Sequence, residues 1–240
     1  MQRSRFEPLF IADWRHVMMI HFAVDAGALQ RDVPFALDLR NGQAFVTLVA
    51  FTMADMQPAL GGRLAAWLLR PIATHDFFNV RTYVRVRDEV GIHFLAEWVS
   101  NRLAVMLGPR TFALPYRHGR IMYQNDREKG PAHGSVEDAQ TGEQFEYHVA
   151  APAADSFAPC EPGSLDEWLM ERYTAFNCVG RRKRFFRVWH APWSQCTCEV
   201  RITSESLVRS NWSWLATAHQ VGANLSPGVH GVWLGWPRAL

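Results

Sequence analysis

Arg81 and Tyr83 stand two residues apart in the run Phe78-Asn79-Val80-Arg81-Thr82-Tyr83-Val84-Arg85-Val86. Both are suited by type to hold an anion or a carbonyl oxygen. A guanidinium grips a carboxylate through parallel N–H donors and stays charged. A phenol adds one donor and one acceptor. Strict alternation in the run predicts a strand with one buried and one solvated face, and residues two apart share a face. The polar set is Arg81, Arg85 and Arg87. That face is therefore either a solvated surface or the wall of a polar cavity. His190, at the end of a strand-like run before Ala191-Pro192-Trp193, occupies a common position for a site histidine. Each has a structural alternative. Arg81 can be satisfied by backbone carbonyls or by a carboxylate such as Glu97, and His190 can pack or cap.

Other side chains exclude chemistry. Of the 25 basic residues 23 are arginine, the only lysines being Lys129 and Lys183. Imine-forming catalysis needs a deprotonatable amine, which arginine does not supply. Lys129 falls in the turn-like Asn125-Asp126-Arg127-Glu128-Lys129-Gly130, and Lys183 in the basic run Arg181-Arg182-Lys183-Arg184, read as a solvated turn between a helix and a strand. The cysteines, Cys160, Cys178, Cys196 and Cys198, form no Cys-x-x-Cys pair, so free thiols are expected rather than a zinc site. His93 and His118 belong to no metal-ligating spacing, and no metal or cofactor is expected. There is no Gly-x-Ser-x-Gly elbow, phosphate loop or His-Glu-x-x-His sequence. No catalytic residue is singled out.

With 48% hydrophobic and 20% charged residues, the 240-residue chain has the composition of an ordinary folded domain, and one domain over 1–240 is the simplest reading. A net charge of +2 gives no bulk attraction to nucleic acid or to a membrane. No apolar stretch is long enough to span a bilayer and no signal peptide is recognisable, so a reducing cytoplasm is the expected compartment.

The elements that must position these residues are mostly strands. Met18–Val24 reads as a buried strand, and Asp25 as the N-cap of a short helix to Arg31. Asn41-Gly42 marks a hairpin before the nearly continuous apolar strand 44–51. Residues 52–76 read as a long packed connection, and 101–107 as a helix stopped by Gly108-Pro109. A strand is expected at 119–123, a hairpin loop over 130–142, a strand at 144–149 and a proline-rich loop over 150–163. Ser164 and Glu167 form a capping box for a helix to about Tyr173. Strands at 185–190, 195–202 and 229–236 complete the chain.

Asn79-Val80-Arg81-Thr82-Tyr83-Val84, Leu114-Pro115-Tyr116, Glu171-Arg172-Tyr173 and His190-Ala191-Pro192-Trp193 occur in an order that resembles the YqjF-like bacterial family called domain of unknown function 2071. Trp14, His21-Phe22-Ala23-Val24, Val33-Pro34 and Asn41-Gly42-Gln43-Ala44 extend the likeness from about Trp14 to Trp233. The family is similar in fold to acetoacetate decarboxylase. The resemblance implies an α+β, mainly antiparallel protein: a curved sheet or β-barrel with flanking helices and a central cavity. In those decarboxylases a Pro-Lys-Lys segment supplies the imine-forming lysine. Here the corresponding segment is Pro115-Tyr116-Arg117, and a phenol of pKa about 10 forms no imine. Phe77 and Phe78 stand where family members more often carry an acidic residue.

The expectation is a cavity that binds a small anionic or carbonyl-bearing organic ligand through Arg81, Tyr83, Tyr116, Arg117 and His190, without Schiff-base decarboxylase activity. One alternative is a lysine-independent lyase or hydrolase with Tyr116 or His190 as acid or base. Another is a non-catalytic interaction protein whose tryptophans form core and an oligomer interface. A homo-oligomer is compatible with each.

Overall fold

The alternating run around Arg81 becomes β4 (His75–Val86), which turns Arg81 into a closed barrel, while Arg85, paired with Asp38, and Arg87 are exposed. The computed structural model describes residues 7–124, 132–149, 157–180 and 182–240. Around the barrel run β1 (Pro8–Val24), β3 (Ala44–Pro58), β4, β5 (Glu89–Val99), β10 (Thr174–Val179), β11 (Arg182–Trp189) and β14 (His219–Gly235), each paired with the next. Pairing of β4 with β5 closes one side. On the other edge of β5, β10 pairs in parallel at Ile92 and β6 (Tyr116–Gln124) in parallel from Glu97. From β6 a second sheet grows through β7 (His133–Asp138), β8 (Gln144–Val149) and β13 (Val200–Ser204). The short strands β2 (Ala36–Leu37), β9 (Ala158–Pro159), β12 (Ser194–Thr197) and β15 (Arg238–Ala239) pair with β4, β12, β14 and β11 in turn.

Barrel strands are buried on both faces, as the nearly continuous apolar runs at 17–24 and 44–51 require. Val17, Met19, Phe51, Phe77, Ile92 and Val188 fill the interior. Met18, Ile20, Phe78, Val80 and Trp98 face outward into a second core under β8 and two helices, α1 (Ala26–Asp32) and α5 (Ser206–Asn211). With each buried side chain of this size contributing roughly 1.5–3 kcal/mol, a one-residue slip of β4 would lose most of that and turn Arg81 into the outer core.

Several expected boundaries move, each for a local reason. β1 begins at Pro8 and passes His16, whose φ of 54° marks an extra residue in the strand. The expected connection 52–76 is strand at its two ends, 52–58 and 75–76, and encloses α2 (Gly62–Leu69) and a 3-10 turn at Arg70–Ile72. Helix α3 (Arg102–Phe112) runs through Gly108-Pro109 and stops at Ala113, which takes a left-handed conformation. A residue before proline is disfavoured in a helix because its Cβ meets the proline ring, and Gly108 has none. Within the expected loop 130–142 lies β7, which pairs with both β6 and β8. Helix α4 (Leu165–Met170) is shorter than expected, and the basic run follows a turn at Gly180 between antiparallel β10 and β11 rather than a helix. The strand expected over 195–202 breaks between β12 and β13. Lys129 and Arg181 lie outside the described residues, as do 150–156 of the expected proline-rich loop.

Candidate functional site

Four strands send polar residues inward at one level of the barrel and join them into a floor. The Nε2–H of His21 donates to Oδ1 of Asn224 at 2.8 Å, while the amide NH2 of Asn224 donates to Asp166 at 3.0 Å and to Gln195 at 2.7 Å. That fixes Nδ1 of His21 as an acceptor, so the Thr47 hydroxyl donates to it at 2.8 Å and in turn accepts from the Tyr83 hydroxyl at 2.5 Å. Burial pushes His21 down to about 3, against the Asn224 hydrogen bond and helped by the Arg81 charge, so its ring is neutral. Every proton in the floor is committed.

Above the floor, β4 is a ladder with a rise of about 3.3 Å per residue, so its inward rungs Tyr83, Arg81, Asn79, Phe77 and His75 are about 6.6 Å apart. The upper four line a cavity of about 330 Å³ whose remaining wall is mostly apolar, including Phe10, Met53, Ile72 and Phe112. Helices α2 and α3 cover the end opposite the floor, contributing Leu69, Ala104 and Leu107 to the lining. Glu97 stands beside Asn79 on β5, and Tyr116 beside Glu97 on β6, so three polar side chains form a row across three strands.

The polar atoms on this wall are incompletely satisfied. Arg81 is 8% exposed, and its Nη2 reaches only the Leu169 carbonyl at 3.4 Å and the Met19 sulfur at 3.6 Å. Its Nε has no hydrogen-bond partner, and the same holds for Nε1 of Trp14, Oδ1 of Asn79, Oε2 of Glu97 and Nη2 of Arg172. Neither ring nitrogen of His75 makes a normal hydrogen bond, although the Ile72 backbone is near enough to oppose slightly the burial that pushes its pKa down to about 4. Burial alone holds the Glu97 carboxyl well above the usual carboxylate range, which favours its protonated form. Burial, with the nearby Glu97 carboxyl, also holds the Tyr116 phenol well above its ordinary range. Burial lowers the pKa of Arg81, opposed by Tyr83. A buried polar atom without a partner is rare in a folded protein and demands a reason. The side chains of Trp14, His75, Asn79, Arg81, Glu97 and Arg172, each with such an atom, all line this one cavity.

Of the residues singled out from sequence, Arg81, Tyr116 and His190 line the cavity and Tyr83 and Arg117 do not. Tyr83 belongs to the floor. Arg117 stacks over Trp98 on the outer face and donates to Asn211 at 2.6 Å. His190 donates from Nδ1 to the Ala191 carbonyl at 2.7 Å, which leaves Nε2 as its lone-pair acceptor, and burial lowers its pKa. The neighbouring motif residues are tied into the fold, Arg172 while also lining the cavity. Glu171 accepts from the Trp193 amide and the Tyr173 hydroxyl, and Arg172 pairs with Asp38 at 2.9 Å. Lys183 donates to the Pro34 carbonyl at the surface, outside the cavity.

The model of an uncharacterized conserved family, domain of unknown function 2071, matches residues 11–230. The chain belongs to this YqjF-like family. It is 29% identical to the uncharacterized protein YqjF of Bacillus subtilis (strain 168) over 197 residues, 79% of this chain and 76% of that protein. The fold is acetoacetate-decarboxylase-like. An acetoacetate decarboxylase-like enzyme from Sphingomonas wittichii RW1 superposes with a TM-score of 0.66 at 14% identity, over 98% of this chain and 94% of that one. The enduracididine biosynthesis enzyme MppR, complexed with the condensation product of pyruvate and imidazole 4-carboxaldehyde, gives 0.66 at 16% identity over 99% and 92%. Acetoacetate decarboxylase from Legionella pneumophila subsp. pneumophila str. Philadelphia 1 gives 0.66 at 12% identity over 100% and 90%.

In this YqjF-like chain the Tyr116 ring has its place because residue 108 is glycine. A Cβ there would lie 2.1 Å from Cε2 of the ring. Gly108→Ala is expected to drive the phenol out of its slot at a cost of roughly 1–3 kcal/mol, measured by urea unfolding. A fully stable variant would mean that the ring moves freely.

Proposed function

We propose that this protein binds a small organic acid inside its barrel. The supporting observation is Arg81, a buried cation that faces the cavity with no carboxylate beside it. An unpaired buried charge is costly, and a ligand carboxylate or carbonyl oxygen would supply the missing counterpart. Two rungs up from the floor, Asn79, Glu97 and Tyr116 offer hydrogen bonds to a second polar group of the ligand. The apolar wall takes its body. At about 30 Å³ per heavy atom, the volume admits a ligand of roughly eleven heavy atoms. No imine step enters this reading. Turnover by acid–base chemistry at Tyr116 or His190 is the second reading, favoured by the Glu97 carboxyl, raised in pKa by burial, beside the Tyr116 phenol.

The test is the melting temperature across a panel of acids of increasing apolar size, each with its matching alcohol. Acids of about ten heavy atoms are expected to raise it and their alcohols to do so far less, with Arg81→Ala losing the difference. Equal stabilisation by acid and alcohol, or an undiminished acid effect in folded Arg81→Ala, would remove the anion from the reading. Incubating a stabilising acid with the protein and following it by NMR separates binding from turnover.

A further inference from the structure

The roof of the cavity presents an apolar outer surface. No residue of α2 is buried, although it contains Leu64, Trp67 and Leu68. Leu60, just before it, is 72% exposed and Trp67 is 65% exposed. Leu103, Met106 and Leu107 are exposed on α3, and the Asn101 side chain at its N-terminus donates to the Pro71 carbonyl, which joins α3 to the turn that follows α2; both helices line the same end of the cavity. A patch of this kind on a folded chain marks a contact site. What it contacts is indicated by charge. Segments 59–72 and 101–112 contain Arg63, Arg70, Arg102 and Arg110, all exposed, and neither contains an aspartate or glutamate. The chain's net charge of +2 conceals this local excess.

We propose that the α2–α3 face docks on an anionic lipid surface, lying on it rather than crossing it. Among the described residues no helix is long and apolar enough to span a bilayer. Leucine and tryptophan beside arginine, without acids, is the composition of a surface that sinks its apolar groups to the headgroup boundary while its cations meet lipid phosphates. Two copies of this face packed on each other would bring arginines against arginines without a counter-charge, which disfavours a symmetric dimer here. The proposal stands independently of what the barrel holds.

Co-sedimentation with phosphatidylcholine vesicles, with and without phosphatidylglycerol, tests it. The full chain is expected to bind the anionic vesicles at least about tenfold more tightly than the neutral ones and to release in high salt. The double variant Trp67→Ser/Leu68→Ser, at positions more than 60% exposed and with its fold checked by circular dichroism, is expected to lose most binding, and Arg63→Gln/Arg70→Gln to lose the preference for anionic lipid. Light scattering on the same samples reports any self-association. Failure to bind anionic vesicles, or binding untouched by either double variant, would overturn the proposal. A wild-type dimer that Leu68→Asp converts to monomer would overturn it too, by assigning the face to a second copy.

Discussion

Replacing Glu97 by Gln is expected to make the folded protein progressively more stable than the wild type as the pH rises. The native pKa of Glu97 lies well above its ordinary value because burial disfavours the carboxylate, and no cation offsets that cost. Above about pH 4.5 the unfolded chain releases this proton while the native state keeps it. The native state therefore binds more protons, and stability falls as pH rises, by about 1.4 kcal/mol per pH unit, until Glu97 titrates in the folded protein. The contribution is fully present below the unfolded pKa and lost through the folded one. Glutamine cannot ionise and has no such slope. The histidines act oppositely, since His21 at about 3 and His75 at about 4 contribute stability above pH 6.5 that is lost as pH falls. They are common to both proteins and cancel in the difference. Urea unfolding of both proteins between about pH 5 and about pH 8 measures it. A constant gap over that range would mean that Glu97 is ionised in the native state and has a partner.

The second large effect runs against the usual sign for a buried substitution. Arg81→Met is expected to leave the ligand-free protein as stable as before, or more stable by roughly 1–4 kcal/mol, while abolishing stabilisation by acids. Methionine keeps much of the apolar length and removes a charge that has no carboxylate partner and is met by a carbonyl at 3.4 Å, a thioether at 3.6 Å and the Tyr83 phenol. Removing one member of a buried ion pair behaves differently and costs roughly 3–5 kcal/mol. Arg172, paired with Asp38 at 2.9 Å, is the internal contrast: Arg172→Met should show that larger loss. A loss of that size at Arg81 would mean that its charge is already satisfied in the resting protein, and the ligand role would fall.

How far the sequence revealed this site depends on strand parity. Arg81 was legible because β4 alternates without interruption from Phe77 to Tyr83, all of them inward at odd numbers. Glu97 was not. On β5, Ile92 and Phe94 face the cavity, so strict alternation sends residue 97 outward. An extra residue at Leu95 resets the count, and the register with β4 shifts between Val80 and Arg81. A bulge has no fixed residue signature when it uses an ordinary side chain, so it was invisible. At the segment aligned with Pro-Lys-Lys, Tyr116 enters the cavity and Arg117 turns outward, as adjacent strand residues must. The barrel itself was implied by the family resemblance. Its closure was not, because the joint between β5 and β10 is a parallel bridge between short segments that carry no periodic signal. That bridge also needs Gly91, where a Cβ would come within 2.4 Å of the Thr174 carbonyl.

The floor of the barrel makes the site a ruler. Tyr83, Thr47, His21 and Asn224 tie β4, β3, β1 and β14 together through hydrogen bonds whose directions are all set. An acid of the kind proposed, entering from the α2–α3 end, would meet a layer that offers no free donor and does not yield without breaking several bonds together. Its polar head would stop at Arg81, one rung above. Length would then be counted upward from that fixed point, so chains that differ by a single carbon would be sorted by how their far ends fit under the roof.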